Sequence, residues 1–351
     1  GLYQMAYTRI PVHAAVSTSV ELTRNVGLGR ASGLVNGVLR RFTREQEQIC
    51  AAVDSDLNVR DACPPWLASA LQGAWPDDWQ SIVTANNNHA PLTLKVNARL
   101  TTRDAYLEAL AQAGVESRAT QFSKLGITLA TGADPTKLPN FEDGHFVVQD
   151  EASQLCAEIL SPRDGELILD ACAAPGGKSI ALFDHAPGIN LVCVDNDESR
   201  LTRMRDNFER TATPADVRLG DALAPADWCG DEMFDRVLVD APCTATGIIR
   251  RHPDIKMRRR AGDGERLATT QRQVLQGLWP RLAKGGTLLY STCSVLTVEN
   301  AGVIDDFVAA TPDATVDEIE ADWGRPAGPG RQILTGESDM DGFFYARLVK
   351  R

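Results

Sequence analysis

A ten-residue stretch near the middle of the chain constrains the fold more than any other. Residues 170–179 read Asp-Ala-Cys-Ala-Ala-Pro-Gly-Gly-Lys-Ser. The apolar run Leu167-Ile168-Leu169 precedes them, and Ile180, Leu182 and Phe183 follow at helical spacing. A strand, a glycine turn and a helix in this order are typical of a site for a nucleotide-type cofactor. Small residues let the backbone approach the ligand, and the helix N-terminus offers free N–H groups.

The turn matches neither of two common phosphate-binding motifs. It lacks the dinucleotide fingerprint Gly-x-Gly-x-x-Gly, which disfavours a Rossmann-type oxidoreductase. A P-loop needs an earlier glycine at the position that Cys172 occupies relative to Gly177-Lys178. We therefore expect a cofactor without a polyphosphate, and S-adenosylmethionine is the candidate.

Strands and helices alternate from residue 146 to the C-terminus. The predicted strands are Leu167–Asp170, Leu191–Asp195, Val217–Leu219, Val237–Asp240 and Thr287–Thr292. Helical patterns such as Ser199–Thr211 and Leu267–Leu282 lie between them. This alternation predicts an α/β domain with a parallel sheet and helices on both faces. A last strand, Gly342–Val349, is expected at the edge of the sheet, and the Gly- and Pro-rich region 324–341 is expected to be a long loop.

The chain before residue 146 divides into two further parts. Residues 1–50 carry apolar residues at helical spacing, and residues 51–63 are interpreted as a linker. Residues 59–145 mix helical patterns with strands such as Gly126–Leu129, which predicts a small α+β domain. We therefore expect three domains, 1–58, 59–145 and 146–351. The first residues already read as helix interior, so we expect the natural N-terminus to lie upstream.

Acidic residues follow four of the predicted strands. They are Asp170, Asp195, Asp221 and Asp240. In an open α/β sheet, ligands bind outside the carboxyl ends of the strands, so we expect these side chains around one cleft. Asp195 is placed to accept the ribose hydroxyls of the cofactor, and Asp221 is placed to face its adenine edge. One such acid alone is more often a helix cap or turn residue, but four in register with the glycine turn favour a ligand site.

Two cysteines follow neighbouring strand ends. The chain has eight cysteines and no Cys-x-x-Cys pair, which argues against a zinc site, and a chain of this length needs no disulfide scaffold. Cys243 follows the fourth predicted strand in Asp-Ala-Pro-Cys, and Cys293 follows the fifth in Thr-Cys-Ser. Lone cysteines are usually small buried hydrophobic residues, and Cys156 and Cys193 are interpreted in this way. Two thiols at adjacent strand ends instead indicate nucleophilic chemistry.

Three motifs, taken in order, resemble those of one known family. They are Asp-Ala-Cys-Ala-Ala-Pro-Gly-Gly-Lys, Asp-Ala-Pro-Cys and Thr-Cys-Ser, and the family is the Fmu/Sun/NOL group of RNA 5-methylcytosine methyltransferases. The match over Asp240–Asp254 is long and specific, and it departs from the family at Thr244, where serine is expected. The resemblance covers essentially the whole chain, and Gly1–Arg41 is similar to the later helices of a NusB-like RNA-binding domain. It implies a Rossmann-like, seven-stranded methyltransferase domain, preceded by a small α+β domain and part of an all-α NusB-like domain.

The resemblance also implies roles for individual residues. The cysteine of Thr-Cys-Ser, here Cys293, attacks C6 of cytosine and so activates C5, which is otherwise too electron-poor to take a methyl group. The cysteine of Pro-Cys, here Cys243, assists breakdown of the covalent adduct, and Asp240 positions the base. DNA cytosine methyltransferases attack with the Pro-Cys cysteine, so the presence of both thiols favours RNA. The implied cofactor is S-adenosylmethionine, and its predicted binding residues are Cys172, Ala173, Ala174, Pro175, Gly176, Gly177, Lys178, Asp195, Arg200, Asp221 and Asp240.

Basic residues cluster in two places. The formal charge of the chain is −11, so positive potential is local rather than general. The densest basic stretch follows Cys243, where phosphate contacts would position the RNA; a solvated loop is the alternative. A second cluster ends the predicted helix over Leu34–Phe42, and it is open to either interpretation. The predicted RNA-binding residues are Arg40, Arg41, Arg250, Arg251, Lys256, Arg258, Arg259 and Arg260.

Two classes of function are compatible with these features. One is cytosine C5 methylation of small-subunit ribosomal RNA. The alternative is a non-catalytic RNA-binding or antitermination-type factor with a vestigial methyltransferase fold, and the pair Cys243 and Cys293 argues against it. No apolar run approaches the roughly 20 residues of a membrane span, and no signal-peptide pattern is present. We therefore expect a cytoplasmic monomer without a metal.

Overall fold

Helices build the first of two units in the chain, Gly1–Pro65. The computed structural model describes residues 1–351 apart from the side chains of residues 57 and 58. The helices of this unit are α1 (Leu2–Tyr7), α2 (Val12–Asn25), α3 (Ser32–Asp54) and α4 (Leu57–Arg60). Pro11 precedes α2, and Leu39 and Phe42 of α3 are buried. Residues 51–63, expected as a linker, instead contain the end of α3 and all of α4.

A four-stranded antiparallel sheet lies in the first part of the second unit, Trp66–Arg351. Its strands are β1 (Thr93–Val96), β2 (Ser117–Ala119), β3 (Gly126–Leu129) and β4 (Phe146–Val148), in the order β2-β3-β1-β4. The helices of this part are α5 (Pro65–Ala74), α6 (Trp79–Asn87) and α7 (Arg103–Gln112). The Thr102 side chain caps α7 by accepting a hydrogen bond from the Ala105 N–H, and the chain leaves the helix through Gly114 at φ +75°.

The strand β4 belongs to this small sheet, although its residues were expected in the last domain. Val147 pairs with Lys95, and Phe146 pairs with Val96. All four residues of β1 are buried, so its backbone needs a hydrogen-bonding partner on both sides. The sheet therefore continues past residue 145.

A mixed sheet of nine strands forms the rest of the second unit. Its parallel strands are β5 (Leu167–Ala171), β6 (Asn190–Asp195), β7 (Asp216–Leu219), β8 (Phe234–Asp240) and β9 (Leu282–Thr292). The others are β10 (Ala314–Asp317), β11 (Arg325–Ala327), β12 (Gly330–Ile333) and β13 (Phe343–Lys350). The order is β11-β12-β13-β9-β8-β5-β6-β7, and β10 pairs with β13. The chain proceeds from β5 outward to β7 and then returns to β8, so the ligand crevice lies where the order reverses.

The predicted Rossmann-like fold is confirmed, but its antiparallel side is more elaborate than expected. β13 is not an edge strand: Phe344 pairs with Thr292 of β9, while Leu348 also pairs with Val316 of β10. The region 324–341, expected as a loop, contains β11 and β12. The sheet has nine strands rather than seven because the place beside β13 is shared by β10 and β12, and β11 extends it further.

Helices cover both faces of the large sheet. They are α8 (Glu151–Gln154), α9 (Cys156–Leu160), α10 (Gly177–His185), α11 (Glu198–Arg210), α12 (Ala226–Cys229), α13 (Ile255–Arg258), α14 (Asp263–Leu278) and α15 (Ala301–Ala310). Ile168 and Leu169 are neighbours on β5 and lie in different hydrophobic clusters, because alternate residues of a strand face opposite sides. The cluster of Ile168 includes α9, α10 and α11, and that of Leu169 includes α14 and α15. Within the part of the chain that the structure describes, no helix has the length and apolar character of a membrane span.

Candidate active site

The glycine turn links β5 to α10, as the sequence predicts. Cys172 and Gly176 have left-handed backbone conformations, with φ of +62° and +96°, and α10 begins at Gly177. A Cβ atom at Gly176 would lie 2.7 Å from the ring of Phe208 and 2.8 Å from Met204. Only glycine fits this position, since both the backbone conformation and the space exclude a side chain.

Asp195, at the end of β6, braces the turn. Its Oδ2 accepts a hydrogen bond from the Ala174 N–H at 3.2 Å, and its Oδ1 accepts one from the Asp197 N–H at 3.2 Å. Arg200 on α11 lies 3.2 Å from the same carboxylate and donates to the carbonyl of Ala174. These contacts orient the Asp195 carboxylate through the protein's own groups.

A cleft of about 280 Å³ brings together seven of the predicted catalytic and cofactor-binding residues. The residues that line it include Cys172, Asp195, Arg200, Asp221, Asp240, Cys243 and Cys293. Asp221 is exposed at its rim, where its carboxylate accepts a hydrogen bond from the Leu223 N–H at 2.9 Å. One cleft therefore contains the predicted cofactor carboxylates and both predicted thiols.

Asp170 is absent from the residues that line the cleft in the described part of the chain, although it was predicted beside the other acids. It is fully buried, and its Oδ2 accepts a hydrogen bond from Ser179 Oγ at 2.5 Å. Its Oδ1 has no hydrogen-bond partner among the described residues. Burial raises the pKa of Asp170 to about 7. Asp170 thus supports the turn from the interior.

Lys178 and Asp240 form an ion pair beside the thiols. Lys178 Nζ donates to Asp240 Oδ2 at 2.7 Å, and Ser291 Oγ donates to Asp240 Oδ1 at 3.0 Å. The ammonium also lies 5.0 Å from the ring centroid of Phe343. Burial lowers the pKa of Lys178, but the Asp240 carboxylate outweighs it and the net pKa is raised. Lys178 therefore keeps its positive charge next to the cleft.

The two predicted thiols lie side by side. Cys243 Sγ is 3.5 Å from Cys293 Sγ, because Asp240 at the end of β8 pairs with Ser291 near the end of β9. Cys243 is 8% exposed, and Cys293 is partly exposed. The hydrogen bond with Cys293, burial and the charge of Glu299 raise the pKa of Cys243 well above its ordinary value. Cys243 therefore keeps its proton at neutral pH.

The sequence that carries these motifs matches one protein family over most of its length. A family model described as 16S rRNA methyltransferase RsmB/F matches residues 157–349. The ribosomal RNA small subunit methyltransferase B of Pseudomonas putida is 47% identical over 351 residues, which cover 100% of this chain and 80% of that protein. The chain belongs to the 16S rRNA methyltransferase RsmB/F family.

The parts that precede the catalytic domain agree with membership of the RsmB/F family. Residues 63–135 match the ferredoxin-like domain of RsmF/B-like methyltransferases, and residues 1–44 match the NusB family.

A solved structure is similar to most of the chain. The crystal structure of NSun6 from Pyrococcus horikoshii with SFG has a TM-score of 0.73, with 19% sequence identity. The match covers 82% of this chain and 98% of that one. It shows a common fold.

Two arginines predicted to bind RNA lie in an interior ion-pair network. Arg250 Nε donates to Asp341 Oδ1 at 2.7 Å, and this side chain is 4% exposed. Arg251 donates to the same aspartate and, at 2.8 Å, to Asp150 Oδ2. Burial and the charge of Asp341 raise the pKa of Asp150 to about 6, although both arginines lower it. These guanidinium groups hold the loop after Cys243 and are already paired with carboxylates, which disfavours the predicted phosphate contacts. RNA binding by Arg250 and Arg251 stays a prediction.

Arg259, also predicted to bind RNA, is bound to the backbone of the Cys243 loop, and its RNA contact stays a prediction. Its Nη2 donates to the carbonyl of Cys243 at 2.9 Å, and its Nε donates to the carbonyl of Thr244 at 3.1 Å. The residue is half-buried. Its guanidinium group therefore holds the backbone on which one thiol is mounted.

Other residues predicted to bind RNA in this RsmB/F family member are more accessible. Arg258 is 80% exposed and pairs with an aspartate one helical turn away, and Arg260 is exposed. Arg40 and Arg41 are exposed on α3. Lys256 donates to an amide oxygen of α6 at 2.6 Å. RNA binding by these residues stays a prediction.

Three side chains that the sequence patterns did not single out complete the site. Ser291 orients Asp240, Gln271 Nε2 donates to the carbonyl of Pro242 at 2.9 Å, and Glu299 contacts both cysteine loops. Gln271 and Glu299 lie on neighbouring elements without a motif of their own. Only the tertiary contacts reveal their roles.

Proposed function

We propose that the chain transfers a methyl group to C5 of a cytidine in small-subunit ribosomal RNA, through a covalent adduct between Cys293 and C6 of the base. Family membership supports methylation of ribosomal RNA. The observation that carries the cytosine C5 chemistry is the pair of thiols, 3.5 Å apart in the cleft that also contains Asp195 and Asp221. Methylation of an amino or hydroxyl group needs no thiol, because such a group is itself a nucleophile.

The cofactor is S-adenosylmethionine, and the residues present fit it. Asp195 offers an oriented carboxylate for ribose hydroxyls, Asp221 offers a second at the rim, and the turn over Cys172–Gly177 lets the ligand approach the backbone. NSun6, whose structure was determined with the S-adenosylmethionine analogue SFG, shares the fold. When bound, the cofactor supplies an electrophilic methyl group on a positively charged sulfur.

Cys293 performs the first chemical step of the proposal. Its thiolate adds to C6 of the cytosine, which forms the S–C6 bond and moves the C5=C6 electron pair onto C5. Asp240, held by Lys178 and Ser291, contacts the edge of the base and stabilises a proton at N3 while C6 is attacked. C5 thereby becomes nucleophilic enough to accept the methyl group.

Cys243 performs the release step. The S–C6 bond must break, the proton at N3 must return to solvent, and the proton on C5 must leave as the C5=C6 bond re-forms. Cys243 keeps its proton at neutral pH and lies 3.5 Å from the Cys293 sulfur. It gives that proton to the departing sulfur and receives the proton from C5, so both thiols and the aromatic base are restored.

Nucleoside analysis of the product tests this proposal. Unmodified small-subunit ribosomal RNA is incubated with the purified chain and S-adenosylmethionine, digested and analysed by mass spectrometry. The expected product is 5-methylcytidine. Cys50→Ala, which changes a cysteine on α3 outside the cleft, serves as the control and should give the same product. A different methylated nucleoside as the product would contradict the proposal.

A further inference from the structure

Glu299 contacts both cysteine loops from the protein interior. It is fully buried, and its Oε1 accepts a hydrogen bond from the Thr244 N–H at 2.7 Å. Its Oε2 accepts hydrogen bonds from the Thr244 hydroxyl and, at 2.8 Å, from the Ser294 hydroxyl. Thr244 directly follows Cys243, and Ser294 directly follows Cys293. One carboxylate therefore ties together the residues next to both thiols.

The position of this carboxylate is unfavourable unless its oxygens are satisfied. Burial raises the pKa of Glu299, whereas the hydrogen bonds from Thr244 and Ser294 lower it, and the net pKa is raised. Gln271 Nε2 lies 3.4 Å from Oε1 and also donates to the carbonyl of Pro242. A buried carboxylate is tolerated here because four donors converge on it.

The strands themselves do not hold the two loops together beyond their ends. The last backbone contact of the ladder is the hydrogen bond from the Ala241 N–H to the Ser291 carbonyl, at 2.9 Å. After it, the loops are linked by the Gly247 N–H, which donates to the Cys293 carbonyl at 2.9 Å, and by hydroxyl contacts around Glu299. The separation of the thiols therefore depends on these loop contacts.

The charge of Glu299 also acts on one of the thiols. The titratable and charged groups around Cys243 include the Cys293 thiol, the Glu299 carboxylate, the Tyr290 phenol and, in the same cleft, the Asp240 carboxylate, and Arg259 is bound at its carbonyl. After the hydrogen bond to Cys293 and burial, the negative charge of Glu299 raises the pKa of Cys243 further. Removing that charge would lower the pKa of Cys243.

We propose that Glu299 is a positioning residue for the methylation reaction: it sets the separation of the two thiols and holds the proton on Cys243 for adduct release. The inference rests on the proposed function, because it assigns Glu299 a part in the release step. Glu299 does not contact the base or the cofactor in this assignment. It acts through Thr244 and Ser294.

Two substitutions distinguish the effect of the length of the Glu299 side chain from the effect of its charge. Glu299→Asp keeps the negative charge but shortens the side chain, so it cannot span both loops and should slow adduct formation and release together. A loss on the order of 100-fold is expected, which is the scale of a misplacement of about 1 Å. Glu299→Gln keeps the length and removes the charge, so it should slow release more than formation and shift the pH dependence of release to lower pH.

The measurement is a single turnover on ribosomal RNA, stopped in denaturant at several pH values, with the adduct quantified on denaturing gels. Thermal unfolding of each variant shows whether it folds, and Glu299→Gln carries the test if Glu299→Asp does not. Equal slowing of both steps in Glu299→Gln, without a shift in the pH profile, would overturn the inference. A wild-type chain that forms neither adduct nor 5-methylcytidine would instead remove the proposed function.

Discussion

The two sides of the cleft are built in different ways. The cofactor side consists of strand ends and a backbone turn: Asp195 is held mainly by the N–H groups of Ala174 and Asp197. The thiol side consists of two loops that are held by side chains far away in the sequence, and Glu299 reaches Thr244 across 55 positions. Cofactor binding needs a site of fixed shape, and strand ends and a short motif are sufficient to form it. Covalent chemistry also needs two loops to stay in register, and that requires dedicated side chains.

The largest expected difference between the two sides concerns their cysteines. Cys293→Ala removes the proposed nucleophile and should lower kcat by about 10⁴-fold or more, the scale of nucleophile removal in other enzymes. Cys172→Ala changes a residue that contributes its backbone to the turn, so kcat should fall far less in this variant. Methyl transfer from labelled cofactor to ribosomal RNA measures both. Comparable losses in the two variants would contradict a thiol-specific side of the cleft.

Neighbouring arginines provide the second test. Arg259→Ala removes two hydrogen bonds to the backbone of the Cys243 loop and should lower kcat by about 100-fold through misplacement of that thiol. Arg258→Ala is the matched control, because Arg258 is exposed and pairs with Asp254 at the start of its own helix. It should leave kcat near the wild-type value and reduce the salt dependence of RNA binding by about one charge. A reduced salt dependence of RNA binding in Arg259→Ala, with a loss of kcat in Arg258→Ala, would instead assign the phosphate contact to Arg259.

The same contrast explains what the sequence could and could not predict. The turn at 170–179, the acids at strand ends and the two cysteines follow from motifs and from the rule that ligands bind at the carboxyl ends of strands. The roles of Arg250 and Arg251 do not follow from their neighbours in the sequence. Arg251 is paired with acids 90 and 101 positions away, so a basic stretch that reads as an RNA surface is partly interior.

The sheet shows the same limit. Most of the parallel strands are apolar runs between helices, and their ends were predicted within three residues except at the start of β9, which lies five residues earlier than predicted. The short strands β11 and β12 contain Gly and Pro, which are typical of loops, and only their pairing next to β13 gives them extended structure. Tertiary contacts therefore decide both the antiparallel edge of the sheet and the supports of the thiol side.

The third test measures cofactor affinity in variants of the cofactor side. These substitutions should leave the reactions of the two thiols unaffected. Asp195→Asn weakens charge-assisted hydrogen bonds to ribose hydroxyls and should raise the Kd for S-adenosylmethionine by roughly 10- to 100-fold. Asp221→Asn should raise it less, because Asp221 is exposed at the rim. Isothermal titration calorimetry measures both values. An unchanged Kd in Asp195→Asn would remove Asp195 from the cofactor site.

A different kind of expected effect is a pH dependence of stability on the cofactor side. The pKa of Asp170 is raised to about 7 in the folded chain, above its ordinary value of 3.8. Between about pH 4 and pH 7 the Asp170 carboxyl is therefore protonated in the folded chain but ionised in the unfolded chain. The free energy of unfolding falls as the pH rises through this range. Asp170→Asn removes this contribution, so its stability relative to wild type should increase over that range. Chemical unfolding without cofactor at pH 5 and pH 7.5 measures it, and a constant difference between the two proteins would contradict the assignment.

The most direct test of the account uses Cys243→Ala, in which the proposed release group is missing. The variant is incubated with unmodified small-subunit ribosomal RNA and S-adenosylmethionine, denatured and digested with protease and nuclease. Mass spectrometry then identifies the peptide that carries a nucleotide. We expect a peptide in which Cys293 is linked to a methylated cytidine. No adduct, or a link at any other residue, would contradict the division of roles between the two thiols.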